Sequence, residues 1–488
     1  MAPPAMQSPE ELGATANAGR PHVMFIPSAG MGHLLPFFRV IAALANRDDV
    51  DISVVTVLPT VSAAEADHFA GLFESFPHIR RVDFNLLPFD ASEFPGADPF
   101  LLRWEALRRS AQLLGPLIAG ASPRVSAVVT DITLSSHVIP IAKELDVQCH
   151  VLFVSCATML SLCAYVPVHL DSKAAAGGQV GPGVGDVDIP GVRRIPERCL
   201  PPALLDLNKL FTKQFIDNGR LTTQADGFLV NTFDALEPVA LAALRDGKVV
   251  ADFPPVYAIG PFNSHTSAST TAKQQPAAPV CSPAAWLDGQ PARSVVYVAF
   301  GNRYFVSQEQ LQEIAAGLEA SGCRFLWVIK TTTVDRDDKA ELADVLGKGF
   351  LERVRGRGLV TKAWVDQEAL LKHPSVGMFL SHSGWNSVTE AAAAGVPLLA
   401  WPRNGDHRVN ATVVASGGVG VWMEHWSWDG EDELVTREEI GDKVKEVMAD
   451  EAVRVRAART GEEAAKAVAE SGTSYRSLQE FVGKLKAT

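Results

Sequence analysis

Cysteine is scarce in this chain of 488 residues: there are six, at Cys149, Cys156, Cys163, Cys199, Cys281 and Cys323. None forms a CxxC pair or a metal-ligand spacing. Buried free thiols in a reducing cytosol are expected, not a disulfide scaffold or a zinc site. Positive charge is also in deficit, with 44 Lys and Arg against 56 Asp and Glu and a net charge of −12. Nucleic acid and an anionic membrane surface are therefore poor partners. No run of about 20 apolar residues occurs, which excludes an ordinary membrane-spanning helix. Residues 1–19 are rich in Ala and Pro and lack the basic start and apolar core of a secretory signal. We expect residues 1–20 to be a disordered lead and the protein to be cytoplasmic.

What is present suits a large globular protein. Hydrophobic residues make up 47% and charged residues 20%, and the length calls for two or three domains. Residues 22–27 read as a buried strand, 28–33 as a glycine loop, 34–47 as a helix and 51–58 as a second strand, a βαβ opening. A dinucleotide-binding domain opens similarly, but Gly30-Met31-Gly32 lacks the third glycine. The second strand also ends without the acid that would hold an adenine ribose. Residues 263–282 are rich in Ser, Thr, Ala, Gln and Pro without apolar periodicity, which predicts a linker. A fresh strand at 294–300 then leads into Gly301-Asn302-Arg303, a second Rossmann-like start. The expected division is an N-terminal domain at 21–262, a linker at 263–283, a C-terminal domain at 284–470 and a closing segment at 471–488.

The most informative stretch is 364–407. Residues 377–381 form a strand-length apolar run, His382-Ser383-Gly384-Trp385-Asn386-Ser387 opens a helix ending at Gly395, and 396–401 is the next strand. A polar cluster thus sits at the carboxyl end of a parallel strand, where open α/β sheets bind ligands. A helix N-terminus offers unpaired N–H groups and partial positive charge, which suits a diphosphate. Glu390, one turn beyond Ser387, can take two vicinal hydroxyls, and Trp364 offers a flat face to a base. On spacing alone, a capped βαβ unit without a ligand remains open.

The same residues carry a family resemblance. Trp364, Gln367, His373-Pro374, Gly377, His382, Gly384-Trp385-Asn386-Ser387, Glu390, Gly395-Val396-Pro397, Trp401-Pro402 and Asp406 resemble the donor-binding signature of plant family 1 UDP-glycosyltransferases. The resemblance implies an α/β fold of two Rossmann-like domains facing across a cleft (GT-B type), with the acceptor on the first, a UDP-sugar on the second and a C-terminal helix at 471–488 returning to the N-terminal domain. It assigns the donor to Asn302, Trp364, Val365, Gln367, His382, Gly384, Trp385, Asn386, Ser387, Glu390, Asp406 and His407. Trp364 would stack on uracil, Gln367 and Glu390 take the ribose, and His382, Asn386 and Ser387 hold the diphosphate. Trp385, Asp406 and His407 would face the sugar. Two positions depart from the pattern: Ser383 stands where Cys is usual, and His407 where glucosyltransferases usually carry Gln. His there goes with galactose or arabinose donors, so UDP-glucose, UDP-arabinose and UDP-galactose all stay open.

His33 stands where the first glycine loop meets its helix, a place for a general base and equally for a capping residue. Asp131, after the strand at 125–130, could orient that base or cap the following helix. In the family, a His in this loop is the catalytic base and the Asp its partner. Asp131-Ile132 and Asp98-Pro99-Phe100 resemble the flavonoid C-glycosyltransferase subgroup, which implies acceptor contacts at Phe100, Ile132 and Phe153. Apolar groups scattered over 193–223 (Leu200, Leu204, Leu207, Leu210, Phe211, Phe215) are expected to be lid and pocket wall more than core alone. Asp186-Val187-Asp188 and Asp335-Arg336-Asp337-Asp338 read as loop polarity, and no metal or resident cofactor is expected. The resulting expectation is an inverting, metal-free C-glycosyltransferase acting on a flavonoid-type polyphenol, monomeric, with O-transfer as the alternative. A non-catalytic nucleotide-sugar binder fits poorly, since both His33 and Asp131 are present.

Overall fold

The protein is described by a computed structural model covering residues 20–95, 97, 99–177, 181–262, 282–301, 306–330, 340–426 and 433–486. Asn302, Asp98, the side chain of Phe100, residues 335–338, Cys281, nearly all of the expected linker and the expected lead lie outside the described residues.

In chain order the first half comprises β1 (His22–Ile26), α1 (Met31–Ala45), β2 (Asp51–Leu58), β3 (Arg80–Asn85), α2 (Pro99–Ser110), β4 (Ala127–Asp131), β5 (Gln148–Phe153), α3 (Ala157–Ala175), β6 (Val187–Ile189), β7 (Arg193–Ile195), β8 (Gly227–Val230) and β9 (Val256–Ala258). The second comprises β10 (Val295–Ala299), β11 (Arg324–Val328), β12 (Gly358–Thr361), β13 (Val376–Ser381), α4 (Trp385–Ala394), β14 (Leu398–Ala400), α5 (His407–Ser416), β15 (Gly420–Trp422) and α6 (Thr473–Lys486), among further helices. Two parallel sheets result, ordered β3-β2-β1-β4-β5-β8-β9 and β12-β11-β10-β13-β14-β15. Central strands such as β1 and β10 are buried at every position. That is why they are unbroken apolar runs: helices cover both faces of a parallel sheet.

In each sheet the winding reverses once, between β1 and β4 and between β10 and β13. Ile26 lies beside Thr130 at the first reversal and Ala299 beside Ser381 at the second. Loops diverge at such a point and leave a crevice beyond the strands' carboxyl ends. His33 and Asp131 follow the first pair, Gly301 and His382 the second.

One apolar cluster contains residues of both sheets, including Val128 and Phe153 of the first and Tyr297 and Phe379 of the second, with Trp385, Val388 and Val414 from the helices of the second half. Helix α6 closes the first domain, not the second. Its Phe481 is fully buried against His150 and Tyr257, with ring centroids 5.0 and 5.8 Å away. Ser474 Oγ donates to Gly260 O at 2.6 Å, and Lys486 Nζ pairs with Asp49 at 2.8 Å.

Three expectations are corrected. Leu200, Leu204 and Phe215 belong to the main core, because short 3-10 turns and the helix Leu210–Leu221 fold that segment back onto α3. Asp186 and Asp188 flank and enter a two-stranded antiparallel ribbon, β6 with β7, where Asp186 pairs with Arg194 and accepts from Glu197 N. Helix α1 begins at Met31, three residues before the expected start, so His33 lies within its first turn. Among the described residues no helix is long and apolar enough to cross a membrane.

Candidate active site

At the first reversal, Gly30 takes φ 98° and ψ 133°, a backbone shape that favours glycine, and makes no side-chain cap to α1. Its N–H instead donates to Glu65 Oε1 at 2.7 Å. Glu65 belongs to a Ser62-x-x-Glu65 pattern that reads as a local capping box. The structure spends its carboxylate on the glycine loop and on Val61 N, at 3.1 Å.

The loop aims His33 across to β4. His33 Nδ1 lies 2.8 Å from Asp131 Oδ2, and Asp131 is fully buried. A carboxylate can only accept, so the ring proton sits on Nδ1 and Nε2 carries the lone pair. The other carboxylate oxygen accepts from Thr133 N at 2.8 Å and from the Thr133 hydroxyl at 2.7 Å. Ser28 Oγ stands 2.9 Å from that hydroxyl. Asp131 therefore holds the histidine through Oδ2 and caps the 3-10 turn Ile132–Leu134 through Oδ1, while the helix after that turn, Ser135–Glu144, takes no side-chain cap from it. On the other side, Trp104 of α2 meets the His33 ring edgewise at 5.0 Å and is itself tied by Nε1 to Ala29 O at 3.1 Å. Trp104 and Thr133 escaped sequence reasoning. The only signal was Thr133 two residues past a strand-end aspartate.

At the second reversal, Ser383 is a buried residue with φ 66°, and Gly384 precedes α4. The first helical bond runs from Val388 N to Gly384 O, so the N–H groups of Trp385, Asn386 and Ser387 fall outside the ladder. The His382 ring lies between two glycines. A Cβ on Gly301 would come within 2.8 Å of His382 Nε2, and one on Gly384 within 2.6 Å. Burial, with the neighbouring His407 second, pushes the His382 ring down to about 3. Near neutrality it is thus an uncharged donor. Buried polar atoms without partners among the described residues gather here: Ser383 Oγ and Asn386 Oδ1.

Trp364 is 68% exposed, unlike most large aromatic groups among the described residues, and Val365 after it is half-buried. Gln367 Nε2 donates to Glu390 Oε2 at 2.8 Å and to Ser387 Oγ at 3.0 Å, while Tyr297 OH reaches Gln367 Oε1 at 3.2 Å. Five of the expected donor residues (Gln367, Asn386, Ser387, Glu390 and Trp385) therefore stand on the first six residues of α4 and at the start of the short helix Gln367–Leu371 facing it. Asp406 and His407 begin α5 nearby. Asp406 Oδ2 accepts from Asn410 Nδ2 at 2.9 Å and from Ser155 Oγ of the first domain.

Two expectations meet a different geometry. The Trp385 side chain is 3% exposed, and its Nε1 donates to Asn231 O of the first domain at 2.8 Å. Phe153 is 3% exposed, packed in the core at the end of β5. Ile132 is half-buried directly after Asp131. Asn386 Nδ2 reaches Gly32 O at 3.2 Å, so the first turn of α1, which carries His33, touches the helix end that carries the expected diphosphate ligands.

A histidine held by a buried acid thus stands beside a helix N-terminus that follows a neutral histidine, with Glu390 on the same helix, bonded to Gln367, and an exposed indole three residues before Gln367. Comparison with known proteins identifies the family. The family model for UDP-glucoronosyl and UDP-glucosyl transferases matches residues 210–458. The chain is 62% identical over 462 residues to a UDP-glycosyltransferase CGT of Oryza sativa subsp. indica, covering 95% of both chains. It is 55% identical over 478 residues to UDP-glycosyltransferase 708A6 of Zea mays, covering 97% of this chain and 98% of the relative. Among solved structures, LpCGTa in complex with UDP superposes with a TM-score of 0.82 at 47% identity, covering 96% of this chain and 99% of that one.

Proposed function

The chain belongs to the plant family 1 UDP-glycosyltransferases, in their C-glycosyltransferase subgroup, and on that premise we propose that it joins a sugar from UDP to a ring carbon of a flavonoid-type polyphenol, with His33 as the base. The observation that carries the reading is the Gly32–Asn386 contact. It sets the His33–Asp131 dyad against the helix end where a UDP leaving group would lie.

The acceptor would be a polyhydroxylated, electron-rich ring, as in a 2-hydroxyflavanone or a dihydrochalcone. His33 Nε2 takes the phenolic proton, and Asp131 stabilises the imidazolium through Nδ1. The phenolate charge spreads to the ortho ring carbon, which attacks the anomeric carbon from the face opposite UDP. The carbon–carbon bond forms as the bond to the diphosphate oxygen breaks, so the configuration inverts. The ring carbon then loses its hydrogen as a proton and aromaticity returns. Charge growing on the diphosphate meets the N–H groups of Trp385, Asn386 and Ser387 and the His382 ring. One preorganised donor of this kind is worth about 2.7–4 kcal/mol in the transition state. The sugar is glucose, or arabinose or galactose given His407, and the enzyme acts as a cytoplasmic monomer.

The test is incubation with a 2-hydroxyflavanone or phloretin and each of the three UDP-sugars, followed by heating in acid and mass spectrometry. An adduct that survives acid is carbon-linked and supports the proposal. One that loses its sugar is oxygen-linked and replaces it with O-transfer.

A further inference from the structure

Arg39 lies six residues after His33 on α1, about 9 Å further along the helix axis. It is 7% exposed and reaches across to the second domain. Its Nη2 stands 2.5 Å from Glu390 Oε1 and 4.0 Å from Glu368 Oε2. Both carboxylates are buried as well, and Lys372 holds the other oxygen of Glu368 at 2.7 Å. Glu390 is therefore gripped at both oxygens, by Gln367 from its own domain and by Arg39 from the other. The second guanidinium nitrogen, Nη1, is buried without a hydrogen-bond partner among the described residues. A desolvated N–H with no acceptor is unfavourable, and an acceptor arriving beside Glu390 would relieve it. A ribose hydroxyl is such a group.

We propose that Arg39 is a positioning residue for the donor: it fixes the Glu390 carboxylate that takes the ribose, and so ties nucleotide recognition to the helix that carries the base. This rests on the reading of Glu390 as a ribose ligand. A guanidinium suits the task because it stays charged and its planar fork sets the direction of the carboxylate, which a lysine ammonium does not. The carboxylate keeps a free lone pair on each oxygen for the vicinal hydroxyls.

The experiment titrates UDP and 2′-deoxy-UDP into the full chain and into Glu390→Gln, Arg39→Met, Arg39→Lys and the Arg39→Met/Glu390→Gln pair. Circular dichroism checks each fold. Arg39→Met is expected to weaken UDP about tenfold or more. It is also expected to lose most of the preference for UDP over 2′-deoxy-UDP, which a general loosening of the fold would leave in place. Arg39→Lys should recover part of both, and the double variant should bind no worse than Glu390→Gln alone, as for two residues acting as one unit. If Arg39→Met misfolds, Arg39→Lys carries the test: wild-type affinity and preference in that variant would overturn the proposal. The proposal also fails if Arg39→Met binds both nucleotides as wild type does while Glu390→Gln does not. If Glu390→Gln itself leaves UDP affinity unchanged, the ribose reading falls and takes this inference with it.

Discussion

His407 meets His382 edge to face, with ring centroids 4.8 Å apart and planes at 86°. The donor-signature position that departs from the glucosyltransferase pattern thus touches the residue read as a diphosphate ligand. Asn404 N donates to His407 Nδ1 at 3.3 Å, which leaves Nε2–H as the polar tip. His407→Gln exchanges a fixed ring for a flexible amide that can both donate and accept. Use of UDP-glucose should rise relative to UDP-galactose and UDP-arabinose by about 2- to 10-fold, the range of one hydrogen bond. Competition assays with mixed donors measure this; an unchanged ranking removes His407 as the selector.

The His33–Asp131–Thr133 chain predicts graded losses. His33→Ala should reduce turnover by about 10²- to 10⁴-fold, with UDP affinity nearly intact. Thr133→Val removes one of two donors to Asp131 Oδ1 while Thr133 N keeps the other. It should lower kcat by a smaller factor, with donor KM steady. Turnover retained in His33→Ala would reassign the base.

Gly301 has φ 78° and no room for a Cβ beside His382. Gly301→Ala forces a left-handed alanine, costing about 1–2 kcal/mol, and displaces the ring. UDP should bind more weakly by about tenfold or more, while the far-ultraviolet spectrum stays that of the wild type. Calorimetric titration reads this directly.

Stability should fall in mild acid. Burial, with Lys484 second, pushes the His150 ring down to about 3 from its ordinary 6.5, and His382 behaves alike. Between those values the unfolded chain takes up a proton that the folded ring refuses. The stability is full above 6.5 and is lost as pH falls towards 3, with a slope of about 1.4 kcal/mol per pH unit for each ring. His22 and His137 are pushed in the same direction by burial. Urea unfolding across this window should show a shallower slope for His150→Leu than for the wild type. Identical slopes would show that His150 is protonated in the fold.

Much of this architecture was legible because parallel central strands must be apolar on both faces. β1, β2, β10 and β13 stand out as runs in the sequence, and the polar residues after them mark the crevices. The edge strands β3 and β12 did not stand out. β3 reads Arg80-Arg81-Val82-Asp83-Phe84-Asn85 and is largely exposed, and β12 is half-buried throughout. A strand with one neighbour buries little on its outer side, and in β3 that leaves room for charge. At the site, the residues that touch ligand chemistry follow a linear pattern, whereas those that hold them do not. Trp104, Ser155, Asn231 and Arg39 act from other elements at contacts that only folding creates. Trp385 shows the limit from the other side: its position was legible, but its indole N–H answers to Asn231, more than 150 residues earlier.

Helix α6 adds a consequence for biosynthesis. The wall of the first domain formed by Phe481, Val482 and Leu485 is translated after the whole of the second domain. Tyr257, Phe262 and the buried side of His150 must wait for it. A ribosome stalled within the second domain therefore holds a first domain with an open apolar flank, and that flank is where a chaperone would bind the nascent chain.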